Sequence, residues 1–177
     1  MLHVYGNAAV EKAFYDAVLI DRFKVHPLDD AVRFIRLEPF ADFMADGYHI
    51  IPVPADHDKR ETCLIYIIEK DGKCFLYGHD TGMNLSGEAW ECIFSHKYDL
   101  ISMDATMGRM KTDGYHMGLS DDIAFAEILE EKGCIRSETV KVISHFSHNG
   151  GMTHGELEKL ASEHGLVAAY DGMKVQV

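Results

Sequence analysis

Apolar and polar positions follow two rhythms along this chain, and their alternation predicts a layered α/β fold. Leu2-His3-Val4-Tyr5 reads as a short strand, and after Gly6-Asn7 the residues Val10, Phe14, Ala17 and Val18 recur on one helical face. The stretch from Asp21 to Asp46, interrupted by Pro27 and Pro39, reads as irregular connections with short strands. From Tyr48 the pattern turns to strands: Tyr48 to Val53, Thr62 to Glu69 and Lys73 to Tyr77. Asp71-Gly72 joins the last two as a hairpin turn, because both turn positions favour positive φ. Cys63 to Ile68 is apolar on both faces, which predicts a buried central strand.

Further on, Ser86 to Phe94 reads as a helix, Tyr98 to Met103 as an apolar strand, and Asp121 to Glu131 as a helix stopped by Gly133. Val140 to Phe146 is the next strand. Thr153 and Glu156 have the spacing of a capping box, so a helix starts there and runs to Gly165. Leu166 to Tyr170 and Met173 to Val177 read as closing strands split by Asp171-Gly172. With no internal repeat and no low-complexity linker, residues 1–177 form a single domain or part of one.

Composition narrows the functional classes. A formal net charge of −12 disfavours nucleic acid as a partner, since a broad phosphate-binding surface needs clustered Lys and Arg; a local site for a small anion stays open. Cys63, Cys74, Cys92 and Cys134 are widely spaced and form no C-x-x-C pair, so they read as reduced and mostly buried. No apolar run approaches the ~18 residues of a membrane span, and the first residues lack the basic and apolar regions of a signal peptide. The expected compartment is the cytoplasm.

The chemistry concentrates at strand ends. Pro54-Ala55-Asp56-His57 follows the first β run, Tyr77-Gly78-His79-Asp80-Thr81-Gly82 ends the hairpin, Asp104-Ala105-Thr106-Met107-Gly108 ends the next strand, and Ser144-His145-Phe146-Ser147-His148-Asn149 ends the one after. Taken singly, Asp80 could form a turn, Asp104 could cap a helix, and His145 with His148 could be a core histidine beside a loop histidine. Jointly, carboxylates and imidazoles at successive strand ends converge on one edge of the sheet, and that donor mixture suits zinc, manganese or iron.

In order, His57, Gly78-His79-Asp80-Thr81-Gly82, Asp104-Ala105-Thr106, Tyr115-His116-Met117-Gly118, His145-Phe146-Ser147-His148 and Tyr170-Asp171-Gly172-Met173 resemble the later motifs of metallo-β-lactamase-fold phosphodiesterases. The cyclic-phosphate phosphodiesterases and the tRNA-processing endonuclease RNase Z are the most similar branches. The likeness covers Tyr48 to Val177 well and the first part loosely. It implies an α/β fold, an αββα sandwich of mixed sheets flanked by helices, and hydrolysis of a small phosphodiester by a metal-bound hydroxide. It also implies roles: His57 as ligand of a first metal, Asp80 as the carboxylate bridging two metals, and His145 as ligand of the second. His116 would contact the substrate phosphate and protonate the leaving oxygen, with Asp104 holding it, and Asp171 would either support a ligand from behind or order a loop. His79, His148 and His154 read as surface histidines.

The family's His-x-His-x-Asp-His motif is absent: no two histidines in the chain are separated by one residue. The sandwich is therefore expected to be incomplete, its N-terminal strands missing and each cation short of the three protein ligands usual for catalytic zinc. Uncovered apolar sheet then calls for a homo-oligomer or a complementing N-terminal fragment. Two functions follow: a metal-dependent hydrolase using zinc or manganese, or a non-catalytic remnant acting as an oligomerisation or interaction module.

Overall fold

The computed structural model describes residues 1–21, 31–111 and 114–177; Pro27 and the side chain of Val18 lie outside the described residues. Strands β1 (Leu2–Gly6) and β2 (Val32–Arg36) pair in parallel as a small sheet, joined through helix α1 (Ala8–Asp21). β2 is one of the short strands expected within the stretch from Asp21 to Asp46, and its place is fixed by its pairing with β1. The face of α1 expected from its spacing is only partly used. Phe14 packs on Phe34 of β2 with ring centroids 5.5 Å apart, while Val10 stays 45% exposed and Tyr15 42%.

The large sheet runs in the order β3 (Phe43–Ala45), β4 (Tyr48–Pro54), β5 (Leu64–Lys70), β6 (Lys73–Gly78), β7 (Leu100–Asp104), β8 (Val140–Ser144) and β9 (Val167–Ala168). β3 to β6 form an antiparallel meander, and β6 to β9 are parallel. The hairpin between β5 and β6 turns on Asp71 at φ 50° and Gly72 at φ 76°, as the Asp-Gly pair predicts. The parallel strands are linked by crossover helices α2 (Gly87–Phe94), α3 (Leu119–Glu131) and α4 (His154–Ser162). Ser86 caps α2 through Ala89 N, Gly133 follows α3 with φ 64°, and Thr153 and Glu156 close the capping box of α4.

The core lies between one face of the large sheet and these helices. Ile65, Ile67, Leu76, Ile101 and Ile143 from the strands are fully buried together with Ala89 and Ile93 of α2, Leu129 of α3 and Ala161 of α4. The other face is thinner. Leu64, Tyr66 and Ile68 of β5 are only half-buried, so this central strand is buried on one face rather than both. Tyr5 stacks on Phe43 at 5.0 Å and ties the small sheet to the large one.

Met173 to Val177 form no strand: β9 supplies only two ladder residues, too few to template a return, and Met173 N instead closes a turn onto Tyr170 O at 2.9 Å. The cysteines are free; Cys74 and Cys134 are buried and Cys63 and Cys92 half-buried. Burial pushes the Cys74 thiol up to about 12. No described helix is long and apolar enough to cross a membrane.

Candidate metal centre

Topology brings the strand-end residues together. β5 runs antiparallel to both β4 and β6, so β4 points the same way as β6, β7 and β8, and the C-terminal ends of these strands share one edge. His57 follows β4, Asp80 follows β6, Asp104 ends β7 and His145 follows β8. His116 comes from the loop between β7 and α3. Gly118 locks that loop, because a Cβ there would sit 2.2 Å from Met110 O.

Asp80, Asp104, His116 and His145 each offer a donor atom within 4.8 Å of the others. His57 stands just outside this group, with Nε2 3.9 Å from Asp80 Oδ1. Both oxygens of Asp80 face imidazoles: Oδ1 faces His57, and His116 Nδ1 at 3.8 Å, while Oδ2 lies 3.4 Å from His145 Nε2. Asp80 is 52% exposed at its side chain and His145 38%, so the cluster opens to solvent.

Beneath them Asp104 is fully buried and satisfied. Its Oδ2 accepts from Asp80 N at 2.8 Å and His116 Nδ1 at 2.9 Å, and its Oδ1 accepts from Thr106 N at 2.9 Å. One carboxylate thus fixes the backbone of Asp80 and the ring of His116 together.

The hydrogen bonds also set which nitrogen of each neutral ring carries the proton. His57 Nδ1 lies 2.7 Å from Tyr115 O, a carbonyl that can only accept, so Nδ1 holds the hydrogen. His116 Nδ1 likewise donates to the Asp104 carboxylate. Thr106 Oγ1 donates its single hydrogen to His145 O at 2.8 Å and so must accept from His145 Nδ1 at 2.7 Å. In each ring the lone pair is therefore on Nε2, the atom that His57 and His145 turn toward Asp80. A ring held through one nitrogen by a backbone or side-chain oxygen, with the other presented to carboxylate, is the arrangement of a metal-ligating histidine.

The backbone carries a second mark. Asp80 at φ 53°, Tyr115 at φ 67° and His145 at φ 61° are left-handed, a conformation costing an L-residue about 1–2 kcal/mol. Strain of this kind gathers where side chains must be aimed.

The cluster therefore unites Asp80, Asp104, His116 and His145, with His57 adjacent. His148 and His154 are exposed, as expected. His79 is not a surface residue: its Nε2 meets Ser102 Oγ at 2.7 Å, its ring lies 4.3 Å from Tyr77, and burial, aided by His145, lowers its pKa. Asp171 is exposed, and among the described residues no hydrogen bond or ion pair links it to the cluster. Thr106, Tyr115 and Asp56 were not singled out by sequence. Thr106 and Asp56 stand inside the strand-end motifs, which was the one available signal.

No protein-family model and no curated protein matches the sequence. Solved structures do. Zinc-bound PqqB from Methylobacterium extorquens superposes with a TM-score of 0.70 at 14% identity, over 99% of this chain and 64% of its own. The metallo-β-lactamase fold protein YhfI from Bacillus subtilis gives 0.67 at 17% identity, over 98% of this chain and 64% of its own. The short form of human tRNase Z gives 0.62 at 14%, over 98% and 67%. The chain thus spans 64% of the length of PqqB and YhfI. Across that span it has the metallo-β-lactamase fold.

Proposed function

We propose that this chain is a metal-dependent hydrolase acting on a small phosphodiester, with zinc or manganese as its cofactor. The observation that carries the reading is the placement of His57 Nε2 and His145 Nε2 on opposite oxygens of Asp80, each ring locked through Nδ1. Carboxylate and imidazole donors at this spacing fit a divalent cation. Asp80 would bridge two ions, His57 would bind one and His145 the other. A bound cation neutralises charge on the attacked phosphoryl group and makes water acidic enough to react near neutral pH.

The chain's own residues supply the rest. Asp104 keeps the His116 proton on Nδ1 and stabilises the ring when it charges. His116 then gives a proton to the departing alkoxide, a general-acid contribution of about 10²–10⁴ in rate. Thr106 and the Tyr115 carbonyl hold the two outer imidazoles in register. Turnover of bis-p-nitrophenyl phosphate with added manganese or zinc tests the reading. Turnover that disappears in Asp80→Ala and His145→Ala supports it, and no turnover with any divalent metal overturns it for this chain alone.

A second reading, an interaction module, draws on the small sheet. It has two strands, and Leu2 at 63%, Val10 at 45% and Tyr15 at 42% stay exposed on it and on α1. The proposed occupant is a second copy of the chain or a complementing N-terminal fragment. A monomer by light scattering across a wide concentration range would refute self-association.

A further inference from the structure

We propose that Asp56 is a positioning residue for the cluster: it ties the loop that carries His57 to the loop that carries Asp80, with the backbone before His116 packed against the joint, and so sets the spacing of those side chains. The inference rests on the metal-centre reading and adds a residue to it.

Asp56 is 2% exposed and is hydrogen-bonded to one loop besides its own, the one that follows Asp80. Oδ1 pairs with Lys59, and Oδ2 accepts from Asn84 N at 2.9 Å. Its backbone N donates to Thr81 Oγ1 at 3.0 Å and its carbonyl accepts from Gly82 N at 2.7 Å. The loop just after Asp80 is thus fastened to the residue just before His57 at both backbone and side chain. The third loop lies against the same point. A Cβ on Gly82 would stand 2.6 Å from Asp56 Oδ2 and 3.1 Å from Gly114 Cα, so the backbone before His116 packs directly over this clasp. Tyr115, between Gly114 and His116, then accepts from His57 Nδ1 at 2.7 Å.

The choice of residue follows from the geometry. A buried ion is tolerated only when paired and hydrogen-bonded, and here Lys59 lends the charge while Asn84 supplies the directional bond. An apolar residue could fill the space and would keep the backbone bonds to Thr81 and Gly82, but it would lose the bond to Asn84 N and the pair with Lys59. The backbone bonds meet the chain one or two residues after Asp80 and one before His57, and the carboxylate fixes the same loop at Asn84, where a small shift moves a donor atom out of range. Asp58, equally near His57, serves as the local comparison: among the described residues its carboxylate bonds to exposed Arg60, within its own loop.

Two readouts test the proposal. In metal-free protein, nuclear Overhauser contacts between the His57 and His116 rings, whose centroids are 4.8 Å apart, should vanish in Asp56→Ala while those between His116 and His145 at 5.7 Å persist. Zinc Kd from chelator competition should rise about 10–100-fold in Asp56→Ala. Asp56→Asn, which retains an acceptor for Asn84 N, should recover most of that loss, and Asp58→Asn should stay within about threefold of wild type. Leu157→Ala in α4 supplies a variant destabilised away from the cluster, and it should leave zinc affinity unchanged. Retained ring contacts in Asp56→Ala, or an equal zinc loss in Leu157→Ala, would overturn the positioning role. A wild-type chain that binds no zinc would instead defeat the metal reading, with the ring contacts still deciding the role of Asp56.

Discussion

Replacing Asp104 with asparagine keeps the side chain's shape and removes only its charge and one acceptor, so its cost can be worked out bond by bond. Three N–H donors converge on the carboxylate: Asp80 N, Thr106 N and His116 Nδ1. The asparagine amide offers one acceptor oxygen and one donor group. If the oxygen faces Asp80 and His116, the new NH₂ opposes Thr106 N–H; if it faces Thr106, the NH₂ opposes Asp80 N–H. Either way one buried backbone donor goes unmet, at about 1–3 kcal/mol. The surviving bonds lose charge assistance, adding about 1 kcal/mol. A net loss of about 2–4 kcal/mol follows. Urea unfolding should show the midpoint falling with an unchanged slope. An Asp104→Asn variant within about 1 kcal/mol of wild type would refute the claim that Asp104 is the buried anchor of the cluster.

Other predictions follow from the same bonds. Thr106→Val removes the acceptor of His145 Nδ1 and should weaken zinc binding about tenfold by chelator competition, with imidazole ¹⁵N shifts reporting a changed His145 tautomer. Tyr115→Gly relieves the left-handed backbone at φ 67° and, after the entropy glycine loses on folding, should raise stability by about 0.5–1 kcal/mol in urea titrations. Among the described residues buried Asp122 has no partner for either oxygen, and burial, then Asp104 and Asp121, hold its pKa well above the usual value. Its stability contribution is complete below the unfolded carboxyl pKa of about 3.9 and lost as pH rises through the folded value. Asp122→Asn should therefore stabilise the chain more at pH 8 than at pH 5, and an equal effect at both would contradict a protonated Asp122.

Local signals made much of this fold readable. Asp71-Gly72, Gly133 and the Thr153–Glu156 box each act through their own backbone, and each element they bound lies where its pattern placed it. The bounds of β2 within its stretch of short strands are set by pairing with β1, 30 residues earlier, and the missing return strand after Asp171-Gly172 reflects how little ladder β9 offers. Tyr66 and Ile68 looked like two-sided core because apolar spacing records which residues can be buried, not whether anything covers them. The cluster was legible because strands of one direction deliver their ends to one edge, so Asp80, Asp104 and His145 needed only the strand order. The clasp at Asp56 and the tautomer locks at Thr106 and Tyr115 join loops up to 58 residues apart, which no local pattern encodes.

Direct titration of the purified chain with zinc tests the central claim most closely. The account predicts at least one equivalent of zinc bound by wild type, lost in Asp80→Ala and weakened in His145→Ala and His57→Ala. Absence of binding, or binding that survives Asp80→Ala unchanged, would contradict it.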